Sequence, residues 1–327
     1  VTDETRLEKA LKKIQGFNGE VTVISHDKTL LQAWLPLNAI EPLSFEESIY
    51  YIRRPEIPHY DEQTPLDIDQ TTRSVTEGLQ AMNGGAWYNA GYQGQGVKVA
   101  VVDLGFIGYQ TLLGTDLPAA VKIKNFKDGE SDTQLDEYSE HGTACAEVVY
   151  DIAPQAQLYL IKVGTPLDLQ EAIDWLISEN VKLISMSIGW MNNSPGDGTG
   201  FVQDLIQDAR DAGILLMKSS GNSREGHWGG KFKQSNVPVY HSWATGSNVN
   251  LLDYQGSHAT ISSGVKIRGF LRWDDWSTVN QDYDLWLFRN DGSGWEPVAL
   301  SNNSQTGSRG QRPTEAISYV TEGSPAG

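Results

Sequence analysis

The alternation of hydrophobic and polar residues divides the chain into three regions with different periods. In residues 76–225, nearly continuous apolar runs alternate with stretches of helical period. A strand that is apolar throughout is typical of a parallel sheet covered on both faces, and strand–helix–strand repetition builds such a sheet. The apolar runs are VKVAVVDLG, QLYLIKV, KLISMSIG and GILLMKSSGN, and the helical stretches are HGTACAEVVYDIA, DLQEAIDWLISEN and GFVQDLIQDARDAG. The region is predicted to be an α/β domain with helices on both faces of a parallel sheet.

The two flanking regions follow other patterns. Residues 1–60 predict helix, strand, strand, helix and strand, with EPLSFEES as the second helix and IYYIRRP as the last strand, which together form a small α+β domain. The polar residues 61–75 predict a linker. In residues 226–327 the helical period disappears, and runs such as KIRGFLRW, DYDLWLF and EAISYV alternate between Asn-Asp-Gly and Ser-Gly turns. This last region is predicted to be an antiparallel β-sandwich.

Composition narrows the classes of partner. The 327 residues carry a net charge of −17, whereas a duplex-binding protein needs a basic surface, so nucleic acid is not expected as a partner. No apolar run reaches about 18 residues, so no membrane span is predicted, and the N-terminus lacks the apolar core of a signal peptide. The single cysteine, Cys145, excludes an intrachain disulfide framework and a multi-thiolate zinc site.

Polar residues of the types found in active sites follow successive predicted strands. Asp103 ends the first buried strand, His141 opens the next long helix, and Asn222 follows Gly221 after a later strand. Each has an ordinary interpretation when taken alone: Asp103 caps a turn, His141 is a polar helix cap, and Asn222 forms a turn. Their joint order is more informative, because functional groups of an α/β protein gather at the carboxyl ends of its strands.

The segments around these residues resemble those of the subtilase family. QGQGVKVAVVDLGF is similar to the aspartate segment of the family, HGTACA to its HGT histidine segment, LISMSIG to its substrate-binding strand, and SSGN to its oxyanion segment. The resemblance covers roughly residues 85–225 and implies a subtilisin-like fold. It also implies a serine endopeptidase that acts on a protein or peptide substrate, and a secreted or cell-surface location with the signal peptide absent from this chain.

The resemblance implies a role for each matched residue. Asp103 would accept the imidazole N–H of His141, and His141 would take the proton of a serine hydroxyl. Asn222 would donate to the oxyanion of the tetrahedral intermediate. Residues 187–189 (Ser187, Ile188 and Gly189), which are otherwise ordinary sheet core, would pair through their backbone with an extended substrate.

The nucleophilic serine is the main departure from the family pattern. No G-T-S-x-A-x-P segment follows Asn222, and Ser257, Ser262, Ser263 and Ser324 each lack the helix that should follow the nucleophile. The β-strand region resembles the prepeptidase C-terminal-like domain that some subtilases insert ahead of this serine. We therefore expect the chain to be a truncated or processed part of a protease, inactive without the serine segment. The alternative is a non-catalytic pseudoprotease that binds a peptide, a glycan or a cell-surface partner.

The N-terminal region resembles the propeptides that precede subtilase domains and occupy their clefts, with an unrelated adaptor domain as the alternative. As a propeptide in cis, its tail around residues 53–60 would lie near residues 187–189 as a product-like inhibitor.

No cofactor is predicted. A structural calcium ion could use Asp282, Asp284, Asn290 and Asp291, although solvated strand edges and an Asn-Asp-Gly turn are the better explanation of these residues. A zinc hydrolase is the weakest alternative, because the six histidines form no HExxH motif.

Overall fold

The computed structural model describes residues 4–59, 77–222, 226–237, 239–245, 247–252, 261–276, 278–290, 292, 294–308 and 310–322. The chain forms two compact units, residues 1–221 with 308–311, and residues 222–307 with 312–327. The predicted linker, residues 61–75, lies outside the described residues. In the described part of the chain, no helix combines the length and the apolar composition that a bilayer crossing requires.

The first unit contains a five-stranded parallel sheet. In chain order its strands are β3 (Lys98–Asp103), β4 (Lys122–Asn125), β5 (Gln157–Lys162), β6 (Leu183–Met186) and β7 (Leu215–Lys218). Their spatial order is β4-β5-β3-β6-β7, and all four pairings are parallel. The central position of β3 places the end of this strand, and with it Asp103, between the ends of two neighbours. The sequence analysis did not identify β4, because its Lys-Ile-Lys-Asn sequence has no continuous apolar character.

Helices alternate with these strands and pack on both faces of the sheet. They are α3 (Glu77–Ala81), α4 (Gly84–Asn89), α5 (Tyr109–Leu112), α6 (His141–Ile152), α7 (Pro166–Ser178) and α8 (Phe201–Asp211), with a 3₁₀ turn at Asp132–Gln134. Alternate residues of β3 serve the two faces, as the period of a strand requires. Ala100 and Val102 pack in the core that includes α7 and α8, whereas Val99 and Val101 pack in the core that includes α5 and Ala146 of α6. The structure is therefore the α/β arrangement that the apolar runs predict.

The N-terminal residues of the first unit form a two-stranded antiparallel sheet with two helices. The elements are α1 (Glu4–Gly16), β1 (Glu20–Ile24), β2 (Leu31–Trp34) and α2 (Leu37–Ser44). The second helix begins before the predicted EPLSFEES segment, because Ala39 and Leu43, four residues apart, both face the small core against Ile14. The predicted strand IYYIRRP is wrong: residues 49–58 have no regular secondary structure. Pro55 and Pro58 lack the N–H that a strand ladder needs.

Among the residues of the second unit that the structure describes, four β-strands form two antiparallel pairs. The strands are β8 (Lys266–Arg272), β9 (Leu285–Asn290), β10 (Trp295–Ser301) and β11 (Thr314–Val320), with β8 paired to β11 and β9 to β10. Each corresponds to an alternating run in the sequence. Within the described residues, an internal anchor of this unit is Glu315, which is 1% exposed and accepts hydrogen bonds from Asn303 N–H and Gln305 Nε2 at 2.9 Å.

Candidate active site

Asp103 is held rigidly at the end of the central strand. It is the last residue of β3 and is completely buried. One carboxylate oxygen, Oδ1, accepts the backbone N–H of Leu104 at 2.8 Å. A buried carboxylate is costly unless hydrogen bonds satisfy it, and this first bond fixes the rotation of the carboxylate. The second oxygen, Oδ2, is thereby oriented toward the start of α6.

His141 is the partner of that second oxygen. It is the first residue of α6, where its backbone N–H donates to Ser139 Oγ at 3.0 Å, and its Nδ1 lies 2.8 Å from Asp103 Oδ2. The hydrogen bond with Asp103 raises the pKa of His141 above its usual range, with a smaller contribution from Cys145. Because the carboxylate accepts at Nδ1, the neutral ring carries its basic lone pair on Nε2. The pair is thus arranged to take up a proton at Nε2 and to stabilise the resulting imidazolium.

The glycine after His141 is required by close packing. A Cβ atom on Gly142 would lie 2.4 Å from the carbonyl oxygen of Gly105 and 2.8 Å from the Cβ of Asp103. Gly105 is equally confined, since its own Cβ would lie 2.0 Å from the carbonyl oxygen of Glu137. Thr143, the next residue, is buried and donates from Oγ1 to the carbonyl of Ile107 at 2.9 Å. The His-Gly-Thr sequence therefore ties α6 to the loop after β3 and sets the separation of Asp103 and His141.

Cys145 lies one helical turn after His141, and the sequence analysis assigned it no place in the site. Its Sγ is 3.9 Å from His141 Nδ1 and 4.0 Å from Nε2. Among the described residues, Asp103, His141 and Cys145 form a group whose possible ligand atoms all lie within 4.8 Å of one another. The carboxylate and the imidazole are already bonded to each other, so the geometry of the group is that of a proton-transfer pair.

Residues 187–189 follow β6 at the same edge of the sheet as Asp103. Ile188 is buried in the sheet core, whereas the backbone of Gly189 pairs with a segment from the N-terminal region. The N–H of His59 donates to Gly189 O at 2.7 Å, and the N–H of Gly189 donates to His59 O at 3.0 Å. These two bonds form an antiparallel bridge of the kind an added β-strand makes. Of the predicted tail, residues 53–60, His59 thus lies beside Gly189; Tyr60 lies outside the described residues.

The N-terminal module, residues 4–59, also contacts the sheet domain through buried polar groups. Gln32 of β2 is 8% exposed; its Nε2 donates to Asp168 Oδ1 at 3.0 Å, and its Oε1 accepts from Thr165 Oγ1 at 2.8 Å. Asp168 and Thr165 form the capping box of α7. Burial raises the pKa of Asp168 despite these hydrogen bonds. Because Gln32 and Asp168 are both buried, their hydrogen bond stabilises the docking of the module on α7. The sequence around Gln32 carries no signal that predicts this contact.

Asn222 opens the second unit. It follows Gly221, whose φ of +85° lies in the left-handed region that glycine adopts at no steric cost. Its assignment to the oxyanion site stays a prediction, as does the assignment of Ser187, Ile188 and Gly189 to substrate binding.

Of the proposed calcium ligands, Asp282 accepts the N–H of Gln305, and Asn290 accepts the N–H of Gly292. The bond of Asn290 stabilises a turn, whereas that of Asp282 joins segments 23 residues apart; Asp291 lies outside the described residues.

Comparison with known proteins confirms the resemblance to the subtilase family. The model of the subtilase family, Peptidase S8, matches residues 94–264, which is more than half of the 327 residues. Subtilisin E of Bacillus subtilis is 26% identical over 253 residues, with 72% of this chain and 60% of that protein covered. The minor extracellular protease Epr of the same species is 23% identical over 279 residues, with 76% of this chain and 40% of that protein covered.

Among solved structures, the epidermin leader peptide processing serine protease of Staphylococcus aureus matches with a TM-score of 0.43 and 15% identity. The match covers 66% of this chain and 58% of that one. The chain thus spans about half the length of the curated relatives it matches, 40% of Epr and 60% of subtilisin E.

Proposed function

Because the chain belongs to the subtilase family, we propose that it supplies most of the catalytic framework of a serine endopeptidase. The observation that carries this proposal is the 2.8 Å contact between buried Asp103 and Nδ1 of His141 at the end of the central parallel strand. In this function, His141 Nε2 removes the proton of a serine hydroxyl as the oxygen attacks the peptide carbonyl, and later delivers it to the leaving amine. Asp103 holds the ring and stabilises its charged form.

Two further segments complete the proposed site. Residues 187–189 bind the substrate as an added strand, and the side-chain amide of Asn222 donates to the oxyanion. The 327 residues contain no segment of the family type for the nucleophile, so the reaction needs a serine from outside this sequence. The proposed proton transfers use side chains of the protein and no organic cofactor. Calcium bound by carboxylates such as Asp282 and Asp284 would act on stability. The name of one relative, the minor extracellular protease Epr, favours an exported enzyme.

The N-terminal module has a regulatory part in this proposal. With its tail paired to Gly189 and Gln32 bonded to the cap of α7, the module occupies the strand position that a substrate would use. It therefore acts as a propeptide in cis that keeps the enzyme latent. Cleavage in the polar segment 61–75 would separate the module from the sheet domain.

The endopeptidase is tested on the gene-encoded protein extended beyond Gly327. Casein cleavage that a serine-directed phosphonate blocks, and that H141A loses, is the expected result. If the extended protein neither cleaves casein nor takes up the phosphonate, the endopeptidase is refuted. Peptide binding without cleavage would instead support the pseudoprotease.

The latency of the module is tested separately by H59P, which removes the N–H that donates to Gly189. We expect H59P to raise the affinity of an extended peptide for the 327-residue chain. The matched control is I57P, which places a proline at an exposed residue of the same segment away from the bridge. Equal affinities in H59P and the unaltered chain would refute the cis-inhibitory role.

A further inference from the structure

Lys218 places a positive charge beside the segment that pairs with His59. It is the last residue of β7, and its Nζ donates to the carbonyl of Ile188 at 2.8 Å. A Cβ atom built on Gly189 would lie 2.9 Å from the same nitrogen. The ammonium group therefore lies directly against residues 188–189, at the edge of the sheet where an extended segment is bound.

The charge of Lys218 has no partner of opposite sign in the part of the chain that the structure describes. No carboxylate there lies within 4.0 Å of Nζ, although the chain carries a net charge of −17. An ammonium group has three donors, and the Ile188 carbonyl uses one of them. Burial lowers the pKa of Lys218, although the residue as a whole is exposed. A carboxylate of a bound molecule could therefore reach the ammonium group of Lys218, which is partly shielded from water.

The geometry of the bridge determines which side chains of a bound peptide face this cation. In an antiparallel pair, residues directly opposite each other project to the same face, and every second residue along a strand does so. His59 is opposite Gly189, and the Cβ position of Gly189 points at Nζ of Lys218. A bound peptide therefore presents the residue opposite Gly189, and those two positions away, on the face where Lys218 lies.

We propose that Lys218 makes this cleft selective for acidic peptides, by forming an ion pair with an Asp or Glu side chain of the strand that pairs with residues 187–189. The proposal rests on the proposed use of these residues as the substrate-binding strand. A lysine at a strand end carries no distinctive sequence signal, because solvated lysines are common there.

The test is a binding measurement on the 327-residue chain. Fluorescein-labelled extended peptides carry Asp or Glu at alternate positions, and their matched probes carry Asn or Gln. We expect the acidic probes to bind about tenfold more tightly, since a partly shielded ion pair is stronger than a fully exposed one. The preference should disappear in K218M, persist in K218R and be unchanged in K182M, which removes an exposed lysine before β6. Repeating the series in the H59P background reduces competition from the tail.

Two results would overturn the proposal. An undiminished preference in K218M would assign the selectivity to other residues. Failure of every probe to bind at millimolar concentration in the H59P background would remove the peptide-binding strand itself. Because the readout is binding, it is independent of the casein assay. The endopeptidase can therefore fail while the selectivity stands, and the reverse can also occur.

Discussion

The substitution G142A tests whether the close approach of α6 to the loop after β3 sets the geometry of the Asp103–His141 pair. The added methyl group would lie 2.4 Å from Gly105 O and 2.8 Å from both Asp103 Cβ and Phe106 Cε1. Gly105 O is a backbone atom whose own loop is confined by Glu137, so it cannot rotate away as a flexible side chain would. The helix must therefore move by several tenths of an ångström to about one ångström.

The expected magnitude follows from two opposed effects. Overpacking of a filled core costs about 1–3 kcal/mol, whereas Gly→Ala in a helix gains about 1 kcal/mol from propensity. With three contacts below 3 Å, one of them to backbone, we expect the upper part of the overpacking range, for a net loss of about 1–2 kcal/mol. A displacement of about 1 Å between reacting groups can also lower the rate of an active enzyme about 100-fold.

Urea unfolding followed by tryptophan fluorescence measures the loss of stability. The matched control is G85A in α4, because a Cβ on Gly85 has nothing within 4 Å and Gly85 is also helical. G85A should be neutral or stabilising by up to about 1 kcal/mol. If G142A were as stable as G85A, the claim that Gly142 is fixed by close packing would be refuted.

Three further substitutions probe other parts of the structure. D103N should lower the pKa of His141, seen by NMR of its ring protons. Asp103, with a smaller contribution from Cys145, raises that pKa from 6.5 to about 10. The stability that this pairing contributes is therefore present below pH 6.5 and is lost as the pH rises through about 10, and a constant stability difference between D103N and the parent across this range would contradict the assignment. Q32A should cost about 1–3 kcal/mol, because buried Asp168 loses a donor, and unchanged unfolding would remove Gln32 from the docking contact. E315A should lower the free energy of unfolding of the second unit, measured by calorimetry, by at least about 2 kcal/mol. The free energy of unfolding of the first unit should stay unchanged.

The sequence predicted the parts of the fold that depend on a strong local pattern. The interior of a buried strand such as β3 is a continuous apolar run, and α6 begins at the His-Gly-Thr motif, so both elements were predicted. In contrast, β4 is a short edge strand whose lysines hide the pattern, and the prolines after residue 54 override the apolar IYYI segment. Tertiary packing and the lack of a backbone N–H in proline determine the structure of these two segments, and the hydrophobic period of a sequence reveals neither.

The candidate site shows the same division. Asp103 and His141 could be found because each lies at the end of a recognisable element and their order along the chain is distinctive. Cys145 and Lys218 could not, because a helical cysteine and a strand-end lysine have no special meaning until the neighbouring backbone is known. Asn222 was identified by motif alone, and its role in the reaction remains to be tested.

The antiparallel bridge between His59 and Gly189 has a consequence for how latency would respond to concentration. The occupying segment and the cleft belong to the same polypeptide, so dilution cannot separate them, and the occupied fraction is the same at nanomolar and micromolar protein. A competing peptide must exceed a local concentration on the order of millimolar for a short connection. Hydrolysis of one peptide bond between the segment and the sheet domain would turn this intramolecular equilibrium into a bimolecular one. Dilution alone would then favour the open cleft. Activation would then depend on the volume into which the protein is released.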